Sequence, residues 1–176
     1  LALDGGVGEV IVAPTDDEVH LLKERSRRRA LALAGSTGEG ATYDGYRVKL
    51  LANIGTVDDA MKASKFDLEG SGLFRTEFLF LERSEAPTLE EQTDTYTKVL
   101  QSFGSRRVVV RTLDAGADKP LNFADLGAEE NPALGVRGLR LCQVREDLID
   151  TQLQALAAAH KATDAELWVM APMVST

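Results

Sequence analysis

Short β-rich runs and longer helical blocks alternate along the chain, each marked off by glycine, proline or a capping residue. The opening "GGVGEVIVAPTDDEV" places a glycine turn before the run 10–12. Thr15 and Glu18 then have the Thr-x-x-Glu spacing of a capping box, which predicts a helix start. Residues 18–34 contain neither Gly nor Pro, and "GSTGEGATYDG" from residue 35 is turn-forming. "YRVKLLANI" (46–54) is strand-like, "TVDDAMKAS" is helical with Thr56 as its cap, and "GSGLFRTEFLF" (70–80) is strand-like again. "PTLEEQTDTYTKVLQSFG" repeats the cap logic with Thr88 and Glu91. "RRVVVRTLD" (106–114) is a continuous β-branched run, the pattern of a parallel strand buried on both faces. A helix over 145–160 spaces Ile149, Leu153 and Leu156 three and four apart, and "ELWVMAPMV" supplies a fourth strand. Strands alternating with helices predict a parallel α/β sheet or barrel.

Composition narrows the function classes. The 176 residues are 44% hydrophobic and 27% charged, with a formal net charge of -8. That balance argues against a nucleic-acid partner or an anionic membrane surface, so any anion site must be local. The basic run 25–29 reads as a solvated helix face. One cysteine, Cys142, excludes an internal disulfide framework and reads as a small core side chain. No apolar run approaches the roughly 18 residues of a membrane span, and the cytoplasm is the expected compartment. The chain opens on Leu1 without a basic, then apolar, leader, which predicts an internal piece of a longer protein. His20 and His160 read as ordinary helix residues, and Trp168 as packing.

Polar residues that follow an apolar strand mark the C-terminal face of a parallel sheet, where functional groups of barrels sit. Here these are Asn53, Arg75 with Glu77, and Arg111 with Asp114. Two arginines at successive strand ends can converge on one phosphate or carboxylate, since guanidinium forks match such oxygens. Alternatively, Arg75 forms an internal ion pair with Glu77 or Asp114. The pattern leaves both open.

"GSGLFRTEFLFLER", "VVVRTLDAGADKPL", "EENPALGVRGLRL" and "MAPMVS", in this order, resemble the C-terminal barrel of the phosphoenolpyruvate-protein phosphotransferases, enzyme I of the bacterial sugar phosphotransferase system. "LDGGVGEVIVAPTDDEV" resembles the end of that family's swivelling phosphohistidine domain. The resemblance implies an α/β chain holding about the first half of a (β/α)8 TIM barrel over residues 47–176. A strand and linker helix from the swivelling domain (1–34) and a linker (35–46) would precede it. It implies that Arg75, Arg111 and Arg137 bind the phosphoryl group of phosphoenolpyruvate. Asn53, Glu77, Asp114 and Lys119 would support them, Thr76 and Glu77 by orienting the arginine. Gly70 and Gly72 would permit close approach before Arg75. "LDAGADKP" carries Ala117 where the family has a second glycine. The family's Mg²⁺ ligands and proton-donor cysteine lie on later strands, so neither a catalytic residue nor a metal ligand is expected in this chain. Neither histidine has the Thr-Ser-His setting of the family's phosphohistidine. The complete enzyme would move phosphoryl from phosphoenolpyruvate to its own histidine and then to the carrier HPr, and would form a homodimer. The isolated chain, with open sheet edges, is expected to self-associate and to bind phosphoryl anions without turnover. The alternatives are a barrel like that of pyruvate phosphate dikinase or phosphoenolpyruvate synthase and, from another class, a non-catalytic anion-binding module that keeps Arg75 and Arg111 without chemistry.

Overall fold

The computed structural model describes residues 1–35, 37–116, 121–124, 127 and 129–174. The chain divides into two compact units, 1–38 and 39–176. In the first, strands β1 (Ala2–Asp4) and β2 (Glu9–Ile11) pair antiparallel, and helix α1 spans Asp16–Ala34. β1 is an addition to the expected elements. Its turn is held by Asp4, whose carboxylate accepts from the Gly6 N–H at 2.9 Å. The capping box forms as the spacing requires: the Glu18 N–H donates to Thr15 Oγ1, and the Thr15 N–H returns a 2.7 Å bond to the Glu18 carboxylate. That backbone bond holds the Glu18 carboxyl below its ordinary range. None of the residues of α1 is buried.

The second unit is a parallel sheet in the order β3 (Ala52–Ile54), β4 (Gly70–Arg75), β5 (Arg107–Arg111), β6 (Glu166–Met170). Between them run α2 (Val57–Ala63), α3 (Leu89–Phe103) and α4 (Glu146–Lys161). Thr56 with Asp59 and Thr88 with Glu91 both form capping boxes. Ile54, Phe74, Val108 and Val110 form one core with Tyr96, Val99, Leu100 and Phe103 of α3 and Ala155, Leu156 and Ala159 of α4. A second core at the far ends of the strands joins Phe80, Leu113 and Leu141 to Leu148 and Ile149. Among the described residues, no helix is long and apolar enough to cross a membrane.

Several expected boundaries move. The strand expected over 46–54 begins only at Ala52, because the preceding residues bond to each other and to the end of the next connection. Val48 N–H donates to Gly40, and Leu50 N–H donates to the Glu69 carboxylate at 2.8 Å. The strand expected over 70–80 stops at Arg75, and Thr76–Leu79 form a 3-10 turn. The β-branched strand β5 is not buried on both faces: Val108 and Val110 are enclosed, whereas Arg107, Val109 and Arg111 are half-buried on the open face. Of the expected stripe, Ile149 and Leu156 are buried but Leu153 is exposed, and the buried face of α4 also takes in Leu148, Gln152, Ala155 and Ala159. Trp168 is 50% exposed and not a core residue.

The register of β4 decides where its last side chain points. Ser71 pairs with Val108 and Phe74 with Val110, so two residues of β4, Gly72 and Leu73, face the single Val109. Regular alternation would set Arg75 on the same face as buried Ser71. The extra residue re-aims it to the open face. Gly70 makes the strand's start possible. Its φ is +139°, and a Cβ there would lie 2.0 Å from the Arg107 carbonyl oxygen.

Candidate functional site

Arg75 closes β4, Arg111 closes β5, and the two pair directly in the register. Neighbouring strands lie about 4.8 Å apart, so both guanidinium groups spring from the same edge and the same open face. Asn53 lies on that face too, exposed and in register with Leu73.

The carboxylates near this edge serve Arg111. Its Nη2 donates to Glu77 Oε1, and its Nη1 lies 3.5 Å from Asp114 Oδ2. Arg137 Nε donates to Asp114 Oδ1 at 3.0 Å. Arg137 reaches this position from the residue before a 3-10 turn over Gly138–Gln143, whose first residue has a φ of +55° that favours glycine. Glu77 and Asp114 are 2% and 6% exposed. The internal ion pair left open for Arg75 thus belongs to Arg111 instead.

Arg75 stands apart. Its guanidinium carbon lies 5.0 Å from the centroid of the Phe78 ring, and among the described residues it has no carboxylate partner. The Nε atoms of Arg75 and Arg111 are buried without hydrogen-bond partners among the described residues. A buried donor without an acceptor is costly in a folded chain, and two on neighbouring strand ends form a place for an anionic acceptor. Lys119 and Ala117 lie outside the described residues.

Beneath the arginines runs a buried polar chain that the spacing of charged residues does not reveal. The Gln152 side-chain amide donates to Thr76 Oγ1 at 3.1 Å and to the Tyr96 hydroxyl at 2.9 Å, and its carbonyl accepts from the Leu113 N–H at 2.8 Å. Thr76 Oγ1 donates to the Arg111 carbonyl at 2.8 Å, and the Tyr96 hydroxyl donates to Gln92. Burial pushes the Tyr96 phenol well above its ordinary range, so it remains a neutral donor. This chain ties the ends of β4 and β5 to α3 and α4 and fixes both arginine backbones. Its trace in the sequence is a glutamine in each apolar helical stripe, Gln92 four residues before Tyr96 and Gln152 between Ile149 and Leu156.

A family model described as PEP-utilising enzyme, PEP-binding domain, matches residues 32–176. The chain belongs to that family. Curated relatives agree in kind. Over 176 residues it is 52% identical to the phosphoenolpyruvate-protein phosphotransferase of Streptomyces coelicolor, covering 99% of this chain and 32% of the relative. Proteins of the same name from Haloferax volcanii and Staphylococcus aureus are 43% and 41% identical, each across 100% of this chain and 31% of their own length. The chain therefore spans about a third of the relatives it matches. As a PEP-utilising family member, it carries two arginines at successive parallel strand ends, where barrel enzymes place their functional groups.

Among the described residues, no group of three or more His, Cys, Asp or Glu could hold a metal ion. Glu77 and Asp114 are committed to arginines. The described residues do not fit a magnesium site. Cys142 is a half-buried free thiol packed against the second core, and His20 and His160 are exposed.

Proposed function

We propose that this chain is the substrate-holding part of a phosphoenolpyruvate-protein phosphotransferase, and that Arg75 and Arg111, with Arg137 behind them, receive the phosphoryl group of phosphoenolpyruvate. The observation that carries the reading is the pairing of Arg75 with Arg111 on one open face, each with a buried Nε donor lacking an acceptor among the described residues. Glu77 and Asp114 hold Arg111 in one orientation, and Asp114 shares itself with Arg137. Of these five groups, two carboxylates offset two guanidiniums, and the fifth charge is that of Arg75. A fixed positive charge beside a phosphoryl group stabilises the charge its oxygens share during transfer, and forked N–H donors fix the group's orientation.

In this reading the four-stranded sheet is about the first half of a (β/α)8 barrel, and residues 1–34 come from the swivelling domain and its linker. The whole enzyme passes phosphoryl to its own histidine and then to HPr, works as a homodimer in the cytoplasm, and draws its Mg²⁺ ligands from residues outside this chain. The length ratio to the relatives and the exposed Trp168, Val169 and Met170 of the edge strand β6 support that arrangement.

Two charge-assisted contacts of roughly 1.5–3 kcal/mol each, less ordering costs, put phosphate affinity near about 1 mM. Titration of inorganic phosphate and phosphoenolpyruvate into the wild-type chain, Arg75→Ala and Arg111→Ala tests this. Each substitution is expected to weaken binding about tenfold or more. Binding indifferent to both would overturn the site. With Mg²⁺ present, the chain alone is expected to release no pyruvate from phosphoenolpyruvate, because neither His20 nor His160 has the Thr-Ser-His setting of the family's phosphohistidine. Measurable pyruvate would show that the chemistry does not need residues beyond this chain.

A further inference from the structure

Resting on that reading, we propose that Phe78 is a positioning residue for Arg75, holding the guanidinium by its ring face, and that Gly55 in turn holds Phe78. An arginine meant to bind an anion faces a conflict. A carboxylate partner would fix its long side chain, but it would also occupy in-plane N–H donors and cancel the charge. A ring face does neither. Stacking uses the flat side of the guanidinium and leaves the N–H groups, which lie in its plane, free for phosphoryl oxygens.

Several features of the structure fit that task together. The Arg75 guanidinium carbon lies 5.0 Å from the Phe78 ring centroid, within cation–π range. Phe78 is 49% exposed, though it sits between the buried Glu77 and Phe80. It projects from the 3-10 turn that begins immediately after Arg75. The ring is seated on Gly55: a Cβ there would lie 2.7 and 2.8 Å from Phe78 Cδ2 and Cε2. Gly55 follows Ile54, the partner of Phe74 in the register, so it stands beside Arg75 at the same strand edge. Its own N–H is anchored by the Asp59 carboxylate at 3.1 Å, which fixes the seat to the start of α2. A cavity of about 160 Å³ lined by Gly55, Thr56, Val57, Phe74, Phe78, Leu79 and Thr95 opens alongside. The ring therefore has room to leave its seat if the seat is disturbed.

The test is calorimetric titration of inorganic phosphate into five variants, each also melted thermally. Arg75→Ala tests the reading of the site. Phe78→Leu keeps an apolar side chain but removes the ring face and is expected to bind phosphate about three- to tenfold more weakly, while Phe78→Tyr keeps wild-type affinity. Gly55→Ala, which displaces the ring without touching Arg75, is expected to weaken binding in the same range. Phe66→Ala, at an exposed phenylalanine elsewhere, leaves binding unchanged. If Gly55→Ala does not fold, the Leu and Tyr pair at the half-exposed position 78 still decides. Wild-type affinity in Phe78→Leu, or equal weakness in Leu and Tyr, overturns the inference while a weakened Arg75→Ala upholds the site. Unchanged binding in Arg75→Ala overturns both.

Discussion

The parallel sheet stacks an arginine on an aromatic ring at each end of its strands, and the two differ in what else the guanidinium holds. Arg107, at the start of β5, lies 3.9 Å from the Trp168 ring centroid and donates twice to Glu166, at 3.2 and 2.9 Å. Trp168 Nε1 donates to the same carboxylate at 3.0 Å, which closes the triad. Arg75, at the end of β4, has its ring but no carboxylate among the described residues. Residue type, open face and aromatic support are shared. Donors left without acceptors are not, and they separate an arginine held in a triad from the one proposed to receive an anion.

Arg111 lies between these cases, and it gives the largest expected effect. Its removal takes one cationic partner from each of Glu77 and Asp114, both nearly inaccessible. Removing one partner of a buried ion pair costs up to about 3–5 kcal/mol. Arg75→Ala forfeits one cation–π contact and is expected to cost only about 1 kcal/mol. Urea unfolding of the two variants checks the gap. Equal destabilisation would mean that Arg75 is as structurally committed as its neighbour, and the contrast would fail.

What the sequence discloses and what it hides divide along the range of the forces involved. Helix caps form at all three expected threonines, because a cap is decided within three residues; at Thr56 the cap is a full box with Asp59. The β-α alternation yields the parallel sheet for a similar reason, as periodicity and boundary residues are local. The stop of β4 at Arg75 is not local: it depends on Thr76 reaching the Arg111 carbonyl and on a bulge opposite Val109. Motif resemblance singles out Arg75 and Arg111, which the fold sets side by side at successive strand ends, yet spacing could not assign the carboxylates. Glu77 is two residues from Arg75 and Asp114 three from Arg111, and the fold gives both to Arg111. Gln92 and Gln152 escape notice because a glutamine in an apolar stripe acquires meaning only when α3 and α4 face each other.

A smaller effect is expected at the closed end of the comparison. Trp168→Leu removes the ring face beneath Arg107 and one donor to Glu166, while the Arg107–Glu166 bonds remain. Stability should fall by about 1 kcal/mol, and phosphate affinity should not move, since this triad lies at the opposite end of the strands. A loss of phosphate binding in Trp168→Leu would show that the two ends are coupled.

The smallest effect is one of pH, and it reports whether the triad is closed in solution. The hydrogen bonds from Arg107, and then that from Trp168, hold the Glu166 carboxyl below its ordinary value. A depressed folded-state value means that folding favours the carboxylate. The stabilisation is therefore complete above the unfolded value, about 4.3 for a glutamate, and drains away as pH falls through the folded one. Glu166→Gln should accordingly melt slightly below wild type at pH 7, and the difference should shrink progressively once pH falls below about 4. Because the group is exposed, added salt should shrink the neutral-pH difference as well. A gap that persists undiminished into acid would assign the effect of Glu166 to packing rather than charge. Arg107 would then be held chiefly by its ring, as Arg75 is, and the two ends of the sheet would differ less than their hydrogen bonds indicate.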